Sequence, residues 1–233
     1  MADLDRRTQL RQRLEAVQGQ IERQCAESGR SADEVTLVVV TKTWPADDIR
    51  LLHDLGVRDI AENRHQEAEQ KAAELAELGL TWHFIGQIQS NKAGKVASYA
   101  DMVHSVDSAR LALRLDLGAG RTERVVDCLV QINLDDAPGR GGVEPARLDE
   151  VAEAVDRAPG LRLRGVMGVA PLGGDASRAY RRLAELATEL RSSRPHASLV
   201  SAGMSGDFTH AIEAGATHVR VGSAILGARA PLR

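Results

Sequence analysis

The chain has 233 residues, 43% of them hydrophobic and 27% charged, with a formal net charge of −3. These proportions are ordinary for a soluble globular protein, and the length approaches the roughly 250 residues of a (β/α)8 barrel. The charge balance offers no basic field to nucleic acid or anionic lipid, and the longest apolar runs are strand-length, well short of the roughly 20 residues that cross a bilayer.

The N-terminal stretch MADLDRRTQLRQRLEAV is charged and lacks the apolar run of a secretory signal. Leu10, Leu14, Val17 and Ile21 recur at spacings of three and four. This predicts an amphipathic helix over 5–28, ended by Gly29 and expected to cap the barrel or close its floor. Eight apolar runs follow, at 36–42, 59–63, 81–86, 102–106, 126–133, 161–169, 199–204 and 218–225. Between them lie helical patterns at 46–55, 65–78, 90–98, 108–119, 145–157, 175–192 and 207–214, with Ser90, Asp107, Asp175 and Asp207 as expected caps. Strands alternating with helices imply parallel βαβ units, and continuous apolar strands imply cover on both faces. A closed (β/α)8 barrel and an open doubly wound sheet both fit. Eight strands, and no GxGxxG after the first, favour the barrel as a single domain over 1–233. Cys25 and Cys128 stand far apart, in no metal or redox spacing, which suits a reducing cytoplasm.

In such a barrel the chemistry sits at the carboxyl ends of the strands. The first strand ends on Lys42, one of four lysines among 30 basic residues. A dry wall behind it disfavours the ammonium, and a neutral amine captures carbonyl compounds. The competing reading is a lysine that snorkels to solvent or pairs with Glu62. Ser205-Gly206 and Gly222-Ser223 follow the seventh and eighth strands, where backbone N–H groups can approach a phosphate, unless the glycines only permit turns. Arg220 lies inside the eighth strand and faces either the barrel mouth or the outer helices. Asn63, His83 and Asn91 are further polar candidates, with His83 read as a satisfied core residue. Met167 and Met204 are read as packing, although Met204 leads directly into the Ser205-Gly206 turn. Neither HxxxH, CxxC nor clustered carboxylates appear, so no metal site is expected. A strand-end amine, a phosphate cradle and a nearby cation together suit a ligand with an aldehyde, an aromatic ring and a phosphate. Pyridoxal 5′-phosphate is that ligand.

The stretches VVVTKTWPADDIRLLHDLG, ENRHQE, WHFIGQIQSNK, HSVDS, GVMGVAP and SAGMSGDFTHAIEAGATHVRVGSAILGAR, spread over about 36–229, resemble the pyridoxal phosphate homeostasis proteins. That family is related to the N-terminal barrel of alanine racemase. The resemblance implies a Schiff base on Lys42, a phosphate held at Ser205, Gly206, Gly222 and Ser223, and Arg220 near the pyridine nitrogen. Asn63 and Met204 are further taken as cofactor-binding positions. The chain departs from the family pattern at Ala61-Glu62-Asn63-Arg64, where a glycine and an aromatic are usual, and at DDAPGRGGVEP, where Arg140 replaces a lysine.

Three functions compete. The first is a monomeric, cytoplasmic carrier that holds the cofactor and delivers it to pyridoxal-phosphate-dependent apo-enzymes. The second is an amino-acid racemase, which needs an acid/base on each face of the substrate. The third is a lysine-dependent aldolase. The two tyrosines, Tyr99 and Tyr180, are expected to face away from the strand ends, and the chain ends at Arg233 without the second domain of alanine racemase. The expectation is therefore a binding protein with no catalytic residues.

Overall fold

All eight apolar runs form strands. In the computed structural model, which describes residues 2–135 and 141–228, they pair in sequence order into a closed parallel barrel. The strands are β1 (Thr36–Val40), β2 (Asp59–Glu62), β3 (Thr81–Phe84), β4 (Met102–Val106), β5 (Val126–Ile132), β6 (Leu161–Gly168), β7 (Leu199–Ser201) and β8 (His218–Val221). Because β1 pairs with both β2 and β8, the sheet has no edge and the open doubly wound alternative is excluded. The helices are α1 (Ala2–Glu27), α2 (Ala46–Asp54), α3 (His65–Glu74), α4 (Ala93–Ala97), α5 (Ala109–Arg121), α6 (Leu148–Asp156), α7 (Ala176–Ser193), α8 (Phe208–Glu213) and α9 (Ser223–Leu226). Arg140 lies outside the described residues.

The helix expected to cap the barrel lies against its side. Leu10, Leu14, Val17, Ile21 and Cys25 are buried along one face of α1, which packs on α2, α8 and α9. Each such side chain contributes roughly 1.5–3 kcal/mol by leaving water. Arg6 pins the start of α1 to Asp48 and to the Leu226 carbonyl. Arg30, just past the helix end, donates to the carbonyls of Ile212 and Ala216. Elsewhere the sequence reading misplaces some boundaries. Helix α4 starts at Ala93, not after Ser90, and Ser108 rather than Asp107 caps α5 by accepting the Leu111 N–H. Asp175 caps α7 as expected.

Strands β3, β7 and β8 stop two to four residues short of their apolar runs, and the leftover residues build the mouth. At Gly203 φ is +85°, and a Cβ there would come within 2.6 Å of the Phe208 Cα, so the chain turns directly onto α8. A side chain could not fit this turn. Inside the barrel, Val38, Val40 and Ala61 form one apolar cluster and Met102, Leu129 and Met167 another. Met167 is therefore packing. His83, His104, Ser201, His218 and Arg220 are buried polar residues of the strands.

Candidate functional site

Alternation along β1 sends Val38 and Val40 inward, and the same parity carries on to Lys42. Lys42 is half-buried and lines a cavity of about 320 Å³ with Val40, Trp44 and Ile85. The opposite wall is Met204, Ser205, Gly206, Arg220, Gly222 and Ser223. Seven of the eight residues singled out from the sequence thus meet around one cavity. Asn63 does not: it lines a neighbouring cleft with Arg64, His65, Gln87 and Lys92, and its buried Oδ1 has no partner among the described residues. Asn91 is exposed and lines neither. Met204, read as packing, is 43% exposed, because its backbone N–H is drawn toward Asp207 Oδ1 at 2.6 Å and the side chain is left at the rim.

The loops after β7 and β8 are tied together by Ser205. Its Oγ accepts from the backbone N–H groups of Gly222 and Ala224, both at 3.3 Å. The Ser205 hydroxyl thus ties two backbone N–H groups of the neighbouring loop together beside the cavity that Ser205 and Gly222 line. Arg220 faces inward: Nη1 donates to Ser201 Oγ at 2.5 Å and Nη2 to the Gly168 carbonyl at 3.0 Å. Those bonds use two of its five N–H groups. Burial pushes its pKa down to about 10, partly offset by Tyr180 and Asp207, so it stays a cation at neutral pH.

The sequence reading misses the part Lys71 plays beside Lys42. Glu62 pairs with Lys71, not with Lys42: Lys71 Nζ donates to Glu62 Oε1 at 2.8 Å, to Glu67 Oε1 at 2.6 Å and to the Thr41 carbonyl at 3.1 Å. Glu67 also accepts from the Thr43 N–H at 2.5 Å. Thr43 has φ +70°, a conformation that β-branched residues avoid, so this network holds a strained turn on either side of Lys42. Burial raises the Glu62 pKa, with Lys71 and Thr41 opposing. The i,i+4 pair Glu67–Lys71 on α3, in a chain with so few lysines, was the available signal.

Tyr180 corrects another expectation. It is buried rather than turned away, and its hydroxyl donates to Asp207 Oδ2 at 2.8 Å in the loop after β7. Burial and Asp207 raise its pKa. Tyr99 lies in a separate cleft beside Trp82. Among the described residues there is no cluster of metal ligands and no helix long and apolar enough to cross a membrane.

The chain folds as a closed parallel barrel, and the family model of the alanine racemase N-terminal domain matches its residues 14–230. The "Pyridoxal phosphate homeostasis protein" of Mycobacterium bovis is 40% identical over 244 residues, covering 97% of this chain and 95% of the relative. The protein of the same name from Escherichia coli K12 is 40% identical over 222 residues, covering 93% and 95%. The structure of PipY from Synechococcus elongatus with pyridoxal phosphate bound superimposes with a TM-score of 0.77 at 37% identity, covering 89% of this chain and all of that one. The chain belongs to the pyridoxal phosphate homeostasis protein family.

Proposed function

We propose that this chain binds pyridoxal 5′-phosphate in the mouth cavity and serves as an intracellular carrier that sets the free pool of the cofactor and hands it to apo-enzymes. The carrying observation is that Lys42, Arg220, Ser205 and Gly222 line one cavity of about 320 Å³. When bound, the cofactor supplies an aldehyde that a primary amine captures reversibly. Lys42 is the amine on that wall. The loop positions Ser205, Gly206, Gly222 and Ser223 would hold the ester oxygens, with the Gly222 N–H turning from the serine to the ester. Arg220 donates to the ring nitrogen without giving up its proton, which leaves the ring a weak electron sink. The PipY complex and the names of the relatives favour this ligand over a sugar phosphate, and so the carrier over the aldolase.

The same residues argue against racemase chemistry. A two-base reaction needs a second acid/base across the substrate from the amine. The hydroxyl of Tyr180 is engaged by Asp207, and Tyr99 lies in another cleft. Acting as a monomer, the chain holds its ligand and releases it. The test is to load the purified protein, incubate it with several L-amino acids in D2O, and then add an apo-enzyme. Transfer to the apo-enzyme without α-deuterium incorporation is expected. Sustained α-proton exchange would restore the racemase.

A further inference from the structure

One unbroken series of hydrogen bonds runs through the polar interior of the barrel. Arg220 Nη1 donates to Ser201 Oγ at 2.5 Å, and His104 Nδ1 lies 2.8 Å from that oxygen. His104 Nε2 lies 2.9 Å from His83 Nδ1, and His83 Nε2 lies 2.9 Å from Asp59 Oδ1. The series begins in the wall of the mouth cavity and ends on the first residue of β2, at the other end of the barrel, where the Asp59 side chain keeps 29% of its surface exposed. Every member between them is buried.

Its two ends fix its direction. A guanidinium only donates and a carboxylate only accepts. Ser201 has one hydroxyl proton, and among the described residues its only other partner is His104 Nδ1. A buried hydroxyl proton without an acceptor is costly, so Ser201 donates to His104. His104 then carries its proton on Nε2 and donates to His83 Nδ1. His83 likewise carries its proton on Nε2 and donates to Asp59. The reverse order would put two donors on Ser201 and leave its own proton unplaced. The surroundings of His104 agree, because burial first, then His83, Arg220 and His218, hold its pKa well below the usual value.

We propose that Ser201, His104, His83 and Asp59 are positioning residues, a one-way chain of donors from mouth to floor that fixes the guanidinium of Arg220 and so the direction in which its remaining N–H groups meet the ligand. This rests on Arg220 belonging to the cofactor site. Arg220 and Asp59, at the two ends, set the polarity together, and Asp59 is the end an exchange can alter. An amide there can donate, which permits the series to reverse and loosens the bond between Ser201 and Arg220.

Two measurements test it. In the ligand-free protein labelled with 15N-histidine, His83 and His104 should both give the Nε2–H ring pattern at neutral pH. An Nδ1–H or doubly protonated ring at either position overturns the chain, whatever the protein binds. In absorbance titrations, Ser201→Ala should weaken pyridoxal phosphate binding about tenfold, the scale of one hydrogen bond to a charged group, and shift the absorption band. Inorganic phosphate binding should stay unchanged. Asp59→Asn should move the band in the same direction, and Ser201→Thr, which keeps a hydroxyl, should restore it. Wild-type band and affinity in Asp59→Asn overturn the proposal, and that variant, at the partly exposed end, serves if Ser201→Ala fails to fold. Borohydride labelling of a lysine other than Lys42 would instead sink the site reading, and leaves the ring-tautomer result to decide the chain by itself.

Discussion

Ser205 Oγ accepts the backbone N–H of Gly222 at 3.3 Å, so the loop after β7 is bonded to the loop after β8 across a seam in the wall of the mouth cavity. The bond serves two purposes. It holds the two loops at a fixed spacing, and it satisfies the Gly222 N–H, which in the proposed complex would turn to an ester oxygen beside the serine. A side chain at Gly222 would press on the Val40 carbonyl at 3.1 Å, which keeps that approach bare.

Placing a carboxylate at that seam should reverse its preference. Ser205→Asp is expected to weaken pyridoxal phosphate binding by about a hundredfold or more, as a charged contact to the ester becomes a repulsion. The variant should still react with pyridoxal, which has no phosphate. Equal affinity of variant and wild type for the phosphorylated ligand, measured by absorbance titration, would remove the anion site.

Lys42→Ala is expected to leave the other half of the interaction. The cradle and Arg220 remain, so weak, rapidly reversible binding should persist while every borohydride-stable adduct is lost. Equilibrium dialysis and mass spectrometry of the reduced protein separate the two effects. A reduced adduct on the variant would contradict the role of this lysine.

Lys71→Met isolates the brace under the Lys42 turn. It leaves Glu62 buried without its cation, which should cost about 3–5 kcal/mol at neutral pH. The Glu62 pKa is already raised by burial, and removing Lys71 raises it further. A raised carboxyl favours the folded state below its folded pKa, so the deficit against wild type should narrow as the pH falls through that value. Urea unfolding at pH 7 and pH 5 measures this, and a pH-independent deficit would count against it.

His218 gives the opposite slope. Burial, with His83 as the next cause, takes its pKa from 6.5 down to about 4, and His104 is shifted the same way. Unfolded chains take up these protons near pH 6.5 while the folded protein refuses them until much lower pH. Stability is therefore complete above about pH 6.5 and should fall as the pH drops toward 4, by up to about 3 kcal/mol from His218 alone. The slope should be shallower in His218→Gln. An unchanged slope in that variant would show that the acid sensitivity lies elsewhere.

The barrel was legible because β1 to β8 are continuous apolar runs, each but the last followed by a helical pattern. The residues of the mouth were legible because they stand at the ends of those runs. Contacts between distant segments were not. Nothing local in the sequence says that Lys71, nearly two turns into α3, takes Glu62 away from Lys42, or that Tyr180 reaches back to Asp207. The β3, β7 and β8 boundaries were overrun because Ile85, Ala202 and Ala224 are as apolar as strand residues, while the ladder ends where the chain turns outward to form the mouth. His83 read as an isolated core histidine because its partners His104 and Asp59 lie one strand away on either side.

The account depends on Lys42 being the residue that holds the cofactor. The chain has four lysines, Lys42, Lys71, Lys92 and Lys95, so the assignment can be read directly. The protein should be saturated with pyridoxal 5′-phosphate, reduced with borohydride, digested and mapped by mass spectrometry. The account requires one adduct, on the peptide that contains Lys42, with loss of the near-visible absorption in step with its formation. An adduct on Lys71, Lys92 or Lys95 with Lys42 unmodified, or no adduct at saturation, would contradict it.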